Sequence, residues 1–200
     1  DGLIIQEASQ VALQNGINLQ LILKQVKCIR EKTEIPLVLM GYINPILKYG
    51  QNKFIADCKI SGVDGLIIPD LPPEEGEELI NICREFEISP IMLVAPNTPE
   101  DRIEYISNIA GDLIYCVSIL GITGSGLSGK STLSDYLKKV NKYSTTPFIV
   151  GFGITTGKDV KFINSLADGA VVGSSLIRKI QESEDTIETV KNYIKELKGR

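Results

Sequence analysis

Residues 124–131 read GSGLSGKS, from Gly124 to Ser131, and match G-x-x-x-x-G-K-[ST], a pattern that cradles nucleotide phosphates. An apolar run precedes the motif at 113–120 and a helical pattern follows it at 133–140, as the motif requires. A nucleotide site also needs an Asp at the end of another apolar strand, where it helps to hold Mg²⁺. No apolar run downstream of Lys130 ends in Asp. The missing Asp weakens the nucleotide interpretation, and we keep a P-loop nucleotide-binding protein only as one alternative for this chain.

Two glycine-rich turns near the end of the chain give a second phosphate signal. Gly151-Phe152-Gly153 and Gly173-Ser174-Ser175 each follow a short apolar run, and a short helix is predicted at 174–179. Backbone N–H groups at a helix N-terminus bind phosphate well. Tight turns alone would also use these glycines, but two consecutive turns in this arrangement favour a phosphate site.

The composition excludes several kinds of chemistry. The chain contains no histidine, which excludes Ser-His-Asp catalysis, Cys-His catalysis and histidine-ligated metals. Its net charge of −4 argues against a nucleic-acid-binding surface. No C-x-x-C pair is present, so we expect no metal site, and we expect buried free thiols in a reducing compartment at the four cysteines, Cys28, Cys58, Cys83 and Cys116.

Short apolar runs alternate with helical patterns along the whole chain. We predict strands at 36–40, 65–68, 90–94, 112–117, 147–150 and 169–172. We predict helices at 6–14, 18–32, 55–61, 73–86, 99–109, 132–140, 157–166, 174–179 and 186–197, with Thr98 as the N-cap of the fifth. The strands read as continuous apolar runs, which is typical of strands buried on both faces of a parallel sheet.

This alternation amounts to about six βα units, and it predicts a parallel α/β sheet. An open doubly wound sheet carries its phosphate loop after the first strand. A (β/α)8 TIM barrel instead holds phosphate after its last two strands, so the late glycine turns favour the barrel. We expect a single domain over residues 1–200, with roughly the first two βα units of the barrel absent from this chain and preceding Asp1. Such a partial barrel would expose two sheet edges and part of its core, so we expect low stability.

The chain carries no apolar run of membrane-spanning length and no charged-then-apolar signal peptide. We therefore expect a protein of the cytoplasm or of the plastid stroma. The frequent Ile, Lys and Asn residues fit an AT-rich genome, which indicates a bacterial or plastid source.

Several further blocks occur in an order that is more specific than any single motif. They include LMGYINPI at 39–46, GVDGLIIPDLP at 62–72, APNT at 95–98 and GITG at 121–124, beside Asp1-Gly2 and the two late turns. On these blocks the chain resembles the alpha subunit of tryptophan synthase along essentially its whole length. The resemblance implies a (β/α)8 barrel that cleaves indole-3-glycerol phosphate to indole and glyceraldehyde 3-phosphate in a retro-aldol reaction. Another sugar-phosphate barrel enzyme is the second alternative.

The resemblance also implies an assembly, because the alpha subunit passes indole to a pyridoxal-phosphate-dependent beta subunit in an alpha2-beta2 tetramer. The alpha subunit has no cofactor of its own. Asp70, Leu71 and Pro72 lie in a loop after a predicted strand, and the resemblance implies that such loops face the beta subunit. An Asp-Leu-Pro-Pro turn is also adequate as structure alone.

Catalytic roles carry over from the resemblance to two residues. Asp1 would accept a hydrogen bond from the indole N–H and stabilise the positive charge that develops on the ring. Tyr115 would place its hydroxyl near that carboxylate, unless it is a core tyrosine with a satisfied hydroxyl. A Glu on the preceding strand would move the protons, and no position of the printed sequence matches it. We therefore expect the 200-residue chain by itself not to turn over the substrate.

The substrate-binding positions that the resemblance implies form two groups. The residues expected on the indole side, where core packing describes the apolar ones equally well, are Met40, Tyr42, Ile67 and Pro69. The residues expected to close on the catalytic Asp or to hold the phosphate are Thr123, Gly124, Gly153, Gly173 and Ser174.

Overall fold

The computed structural model describes residues 2–118, 126–151 and 153–199. Six parallel strands form one curled sheet in the order of the chain. They are β1 (Val38–Met40), β2 (Gly65–Ile67), β3 (Ser89–Val94), β4 (Ile114–Val117), β5 (Phe148–Gly151) and β6 (Gly169–Val171). This sequential parallel order is that of a barrel wall, and it differs from the order of a doubly wound sheet, which reverses at a switch point.

Ten helices surround the strands in the described ranges. They are α1 (Leu3–Gln14), α2 (Leu19–Arg30), α3 (Ile43–Tyr49), α4 (Gln51–Ser61), α5 (Glu77–Glu85), α6 (Glu100–Ile109), α7 (Gly126–Tyr143), α8 (Gly157–Ile163), α9 (Ser174–Gln181) and α10 (Thr186–Leu197). None of these helices is long and apolar enough to cross a membrane.

Side chains alternate between the two faces of the curled sheet. Leu66 of β2 and Ile114 of β4 pack against the helices on the convex face. Ile67 and Tyr115, their neighbours in sequence, belong to a separate apolar cluster on the concave face, together with Ile91 of β3. The continuous apolar runs of the sequence therefore supply two cores, and the concave one is the face that a barrel encloses.

The sequence predicted all six strands and most of the helices, but it missed α3. This helix contains Pro45 at its third position, where a missing N–H costs little because the first turn leaves N–H groups unbonded in any case. The Asp70 carboxylate accepts a hydrogen bond of 3.0 Å from the Ile43 N–H and so satisfies one of those groups. A short helix that depends on an acceptor 27 residues away has no local pattern that would predict it.

Several predicted helix starts were wrong. Helices α1, α4 and α7 begin at Leu3, Gln51 and Gly126 instead of at residues 6, 55 and 132. Helix α5 begins at Glu77 instead of at residue 73, because residues 72–76 form a turn in which the N–H of Gly76 bonds to the Pro72 carbonyl. Thr98 does not cap α6, whose N-cap is Pro99. The Thr98 hydroxyl instead accepts a hydrogen bond of 2.9 Å from the Ala95 N–H and closes the loop after β3.

The cysteines behave as predicted at three of four positions. Cys58, Cys83 and Cys116 are buried free thiols, and burial raises the pKa of each to about 12. They are therefore protonated and poorly nucleophilic at neutral pH. Cys28 was expected to be buried, but it is exposed because it lies on the outward face of α2, opposite the buried Leu23 and Val26.

The two terminal strands, β1 and β6, each pair with one strand among the described residues. On the concave side of β1, Val38 is 40% exposed and Met40 is 51% exposed. Apolar side chains of β1 are thus exposed among the described residues.

Candidate active site

A cavity of about 710 Å³ lies against the concave face of the sheet. Its wall is formed by inward side chains of the strands, by the start of α1 and by the start of α9. The lining residues are Gly2, Leu3, Ile4, Ile5, Val38, Met40, Ile67, Ile91, Leu113, Tyr115, Ile149, Gly153, Ile154, Val171, Gly173, Ser174 and Arg178. The cavity is therefore apolar over most of its wall, with few polar groups, as is usual for small-molecule sites.

Six of the predicted site residues meet in this cavity, and five predicted positions do not contribute to its described wall. The six that line it are Met40, Ile67, Tyr115, Gly153, Gly173 and Ser174. Tyr42 is the N-cap of α3, and Pro69 lines a different cavity beside β2, so neither reaches the concave cavity among the described residues. The predictions for Asp1, Thr123 and Gly124 lie outside the residues that the structure describes.

Tyr115 of β4 lines the concave cavity with a polar hydroxyl among apolar strand residues. Its side chain is 6% exposed and packs with Ile67 and Ile91. Burial raises the pKa of the Tyr115 hydroxyl above its ordinary value, so the group stays protonated at neutral pH. No described residue forms a hydrogen bond with this hydroxyl, which therefore has the capacity to donate to a ligand.

The start of α9 forms the other end of the cavity. Gly173 is the N-cap of this helix, and Ser174 is its exposed first residue. The Ser175 hydroxyl donates a hydrogen bond of 3.2 Å to the Ile154 carbonyl, which fixes the helix start against the loop after β5. Gly153, in that same loop, has a φ of 73°, a conformation that favours glycine. The N-terminal N–H groups of α9 and the Ser174 hydroxyl therefore face the cavity from a fixed position.

Besides several apolar residues on and beside the strands, sequence reasoning missed two parts of the cavity wall. The first is the start of α1, where Leu3, Ile4 and Ile5 follow the recognised Asp1-Gly2 pair. The second is Arg178, which lies four residues after the predicted Ser174 and so shares its helix face. Helical spacing from Ser174 puts Arg178 on the same helix face, but it does not distinguish Arg178 from a solvated surface cation.

A second cavity of about 370 Å³ lies beside β2 and β3, under the loop at 69–73. Asp70, Leu71 and Pro72 line it, and Asp70 also bonds to the N–H of Ile43. Near this loop Arg102 pairs with Glu74 through two hydrogen bonds of 2.6 and 3.1 Å. The hydrogen bonds from Arg102 lower the pKa of the exposed Glu74 carboxyl. The loop is thus anchored at both ends, while Pro72 stays exposed.

The structure does not favour the nucleotide interpretation of residues 124–131. Helix α7 begins at Gly126, so the backbone from Gly126 onward is helical, whereas a phosphate-cradling loop is irregular up to its Gly-Lys pair. Residues 124 and 125 lie outside the described ranges. In the part of the chain that the structure describes, no group of three or more Cys, Asp or Glu side chains is placed to hold a metal ion.

Comparison with known proteins agrees with this geometry. The family model described as "Tryptophan synthase alpha chain" matches residues 1–200. The chain belongs to the tryptophan synthase alpha chain family. Among the curated members, the alpha chain of Petrotoga mobilis is 44% identical over 202 residues, which span 99% of this chain and 78% of the relative. The alpha chain of Roseiflexus castenholzii is 41% identical over 202 residues, covering 100% of this chain and 77% of the relative.

Solved structures of this family share the fold. An alpha subunit from Pyrococcus furiosus superposes with a TM-score of 0.91 at 36% identity, over 100% of this chain and 81% of the relative. An alpha2-beta2 complex of tryptophan synthase from the same organism contains a chain with a TM-score of 0.91 at 35% identity, covering 100% of this chain and 82% of that one. These barrels confirm the predicted fold class.

Proposed function

We propose that this family member acts as a lyase in tryptophan biosynthesis and cleaves indole-3-glycerol phosphate to indole and glyceraldehyde 3-phosphate. One observation carries the proposal beyond family membership: a single cavity brings the expected indole-side residues Met40 and Ile67 together with Tyr115 and the expected phosphate-side residues. Gly173 and Ser174 supply the phosphate end at the start of α9. The cavity thus has an apolar body and an anion-binding end, which match the two halves of this substrate.

The retro-aldol step requires three events at the substrate. C3 of the indole gains a proton, the ring carries positive charge until the bond to the side chain breaks, and the adjacent side-chain hydroxyl loses its proton as it becomes the aldehyde. Asp1 is proposed to accept a hydrogen bond from the indole N–H and to stabilise the charge on the ring. The proton transfers are assigned to the Glu of the family, which no residue of the printed sequence matches. We propose that residues 1–200 bind the substrate and need this Glu in order to cleave it.

Tyr115 is suited to donate a hydrogen bond in this mechanism, but not to act as a base. Its hydroxyl lies on the concave face and bonds to no described residue. Because burial raises its pKa, the phenol holds its proton throughout the neutral range. A donated hydrogen bond to the Asp1 carboxylate or to the substrate would orient that group for the reaction.

No cofactor of its own is proposed for this chain, and pyridoxal phosphate is assigned to the beta chain. We propose that the indole passes to such a beta chain within an alpha2-beta2 complex, as in the assemblies that the Pyrococcus furiosus structures represent.

The three buried, protonated thiols favour a reducing compartment, and we propose the cytoplasm of a bacterium. The relatives described above give no support to the plastid alternative.

Asp70, Leu71 and Pro72 are the proposed contact of this chain with the beta chain. Pro72 is exposed, whereas the Asp70 carboxylate accepts a hydrogen bond from the N–H of Ile43. Pro72→Arg should therefore raise the Kd for the beta chain by about tenfold or more without unfolding the protein. Ile187→Arg places the same charge at an exposed apolar position of α10 and should leave the Kd unchanged. Equal affinities for the two variants would contradict the proposed contact.

The lyase activity is tested by indole release from indole-3-glycerol phosphate in the presence of a beta chain. We define the extended protein as this chain with the N-terminal segment of the Petrotoga mobilis relative placed before Asp1. The extended protein should release indole, and its Asp1→Asn variant should be slower by about 10²–10³-fold. The 200-residue chain should release none. An extended protein that binds the beta chain but releases no indole would contradict the proposed function.

A further inference from the structure

Arg178 is the one charged side chain among the described residues that line the concave cavity. The other described lining residues are apolar or glycine, except for Tyr115 and Ser174. Arg178 is exposed, and no ion pair between described residues includes it. A cation with no carboxylate partner among the described residues, at one end of an apolar cavity, can pair with a ligand that joins an anionic group to an apolar body.

Helical geometry directs Arg178 toward the proposed phosphate position. Arg178 lies four residues after Ser174 in α9, so the two side chains share one face of the helix. Side chains in a helix lean toward its N-terminus, which brings a long guanidinium back over the turn that begins at Gly173. The planar guanidinium can donate two parallel hydrogen bonds to a phosphate group. Arg178 can thus contact an anion held at the N-terminus of α9.

We infer that Arg178 is a specificity-determining residue that binds the phosphate of the substrate and makes the cavity select phosphorylated over unphosphorylated indole compounds. The identity of the substrate in this inference rests on the proposed function. The binding of an anion is argued from the cavity and does not depend on that function. The glycine turns and Ser174 offer neutral donors, which pair with a phosphate dianion less strongly than a charged donor does. Arg178 adds the positive charge that these donors lack.

Lys179 provides a matched control on the same helix. Its ammonium lies 5.9 Å from the ring centroid of Tyr193 on α10, and Lys179 does not line the concave cavity. Removing this charge changes the net charge of the protein by the same amount as removing that of Arg178. A difference in ligand affinity between the two variants is therefore due to the position of the Arg178 charge in the cavity and not to the net charge of the protein.

The experiment measures binding to the 200-residue chain by calorimetry at low ionic strength, with inorganic phosphate and with indole-3-glycerol phosphate as ligands. Arg178→Gln should weaken the binding of both by about 10–100-fold, as expected for loss of a charged donor. Arg178→Lys should recover part of this loss, and Lys179→Gln should bind as the wild type does. Affinity for indole, which has no phosphate, should be the same in all variants.

The outcomes separate this inference from the proposed function. Equal weakening by Arg178→Gln and Lys179→Gln, or no weakening by Arg178→Gln, overturns the role of Arg178 while leaving the lyase proposal intact. Loss of phosphate binding in Arg178→Gln alone supports the role even if the extended protein releases no indole, in which case only the proposed function fails. A wild-type chain that binds neither ligand overturns both.

Discussion

The Tyr115 side chain of β4 occupies the space where a side chain at Gly151 of β5 would lie. A Cβ atom placed on Gly151 would overlap both the hydroxyl oxygen and the Cζ atom of Tyr115. Gly151 and Tyr115 are on neighbouring strands, with Gly151 paired to Val117, two residues after the tyrosine. Gly151, the last residue of β5, therefore has a role that a tight turn does not explain: its lack of a side chain leaves room for the Tyr115 ring.

Gly151→Ala should destabilise the protein by about 1–3 kcal/mol, because the added methyl forces the buried Tyr115 ring out of its position. Urea unfolding measures this loss. Gly41→Ala is the control, since a Cβ atom there would meet nothing within 4 Å. In a Tyr115→Leu background the cost of Gly151→Ala should shrink, and an unchanged cost would show that another neighbour causes it.

Tyr115→Phe should separate function from stability. The ring that packs with Ile67 and Ile91 remains, and the removed hydroxyl bonds to no described residue, so the free energy of unfolding should change little. Indole release by the extended protein should fall by about tenfold, the value of one hydrogen bond. In the extended protein that retains Tyr115, the pH dependence of the rate should contain no step from ionisation of Tyr115 between pH 6 and about 9, because burial raises the pKa of its hydroxyl. If Tyr115→Phe lost much stability but kept full activity, Tyr115 would be a core residue and its proposed hydrogen bond would be contradicted.

The sequence predicted the strands well because six apolar runs are separated by helical patterns, an alternation typical of a parallel α/β sheet. It could not show which residues face inward, since both faces of these strands are apolar. Tyr42 and Pro69 were therefore placed on the indole side, whereas the structure puts them at the strand ends outside the concave cavity. Helix α3 was missed because its N-terminal acceptor, Asp70, comes from a distant loop.

Arg178 could not be singled out from the sequence because an exposed basic residue on a helix is usually a solvated one. Only the cavity shows that its neighbours are apolar and that it is the charged residue of the described wall. The glycine turn and helix start at Gly173 and Ser174, in contrast, were predictable, since a glycine followed by a helix start is a local pattern.

Ser107→Ala should cost about 1–3 kcal/mol of stability, measured by urea unfolding. The buried Ser107 hydroxyl accepts hydrogen bonds of 3.0 and 3.2 Å from the N–H groups of Thr145 and Thr146, and so joins α6 to the segment that precedes β5. Alanine leaves these donors without that acceptor. Ser165→Ala removes an exposed hydroxyl that bonds only to the nearby Phe162 carbonyl, and it should cost much less. Equal costs would exclude a special role for Ser107.

Asp159 should make stability depend on acid pH. Burial acts to raise the pKa of this carboxyl, but hydrogen bonds from Thr156 and Thr155 outweigh it, and the pKa is lowered. A carboxyl with a lowered pKa stabilises the folded state above its unfolded pKa of about 3.9 and loses that contribution as the pH falls through its folded pKa. Asp159→Asn should therefore cost about 1 kcal/mol at pH 7 and progressively less below about pH 4. A cost that is independent of pH would contradict this role.

The most direct test of the central claim is a crystal structure of the 200-residue chain soaked with indole-3-glycerol phosphate, which this chain is expected to bind without cleaving. The phosphate should lie at the N-terminus of α9, within hydrogen-bond distance of Ser174 and Arg178, and the indole ring should lie between Met40, Ile67 and Tyr115. A substrate bound outside this cavity would contradict the proposed site. So would a substrate bound in the reverse orientation, with its indole ring at the start of α9 and its phosphate among the apolar residues.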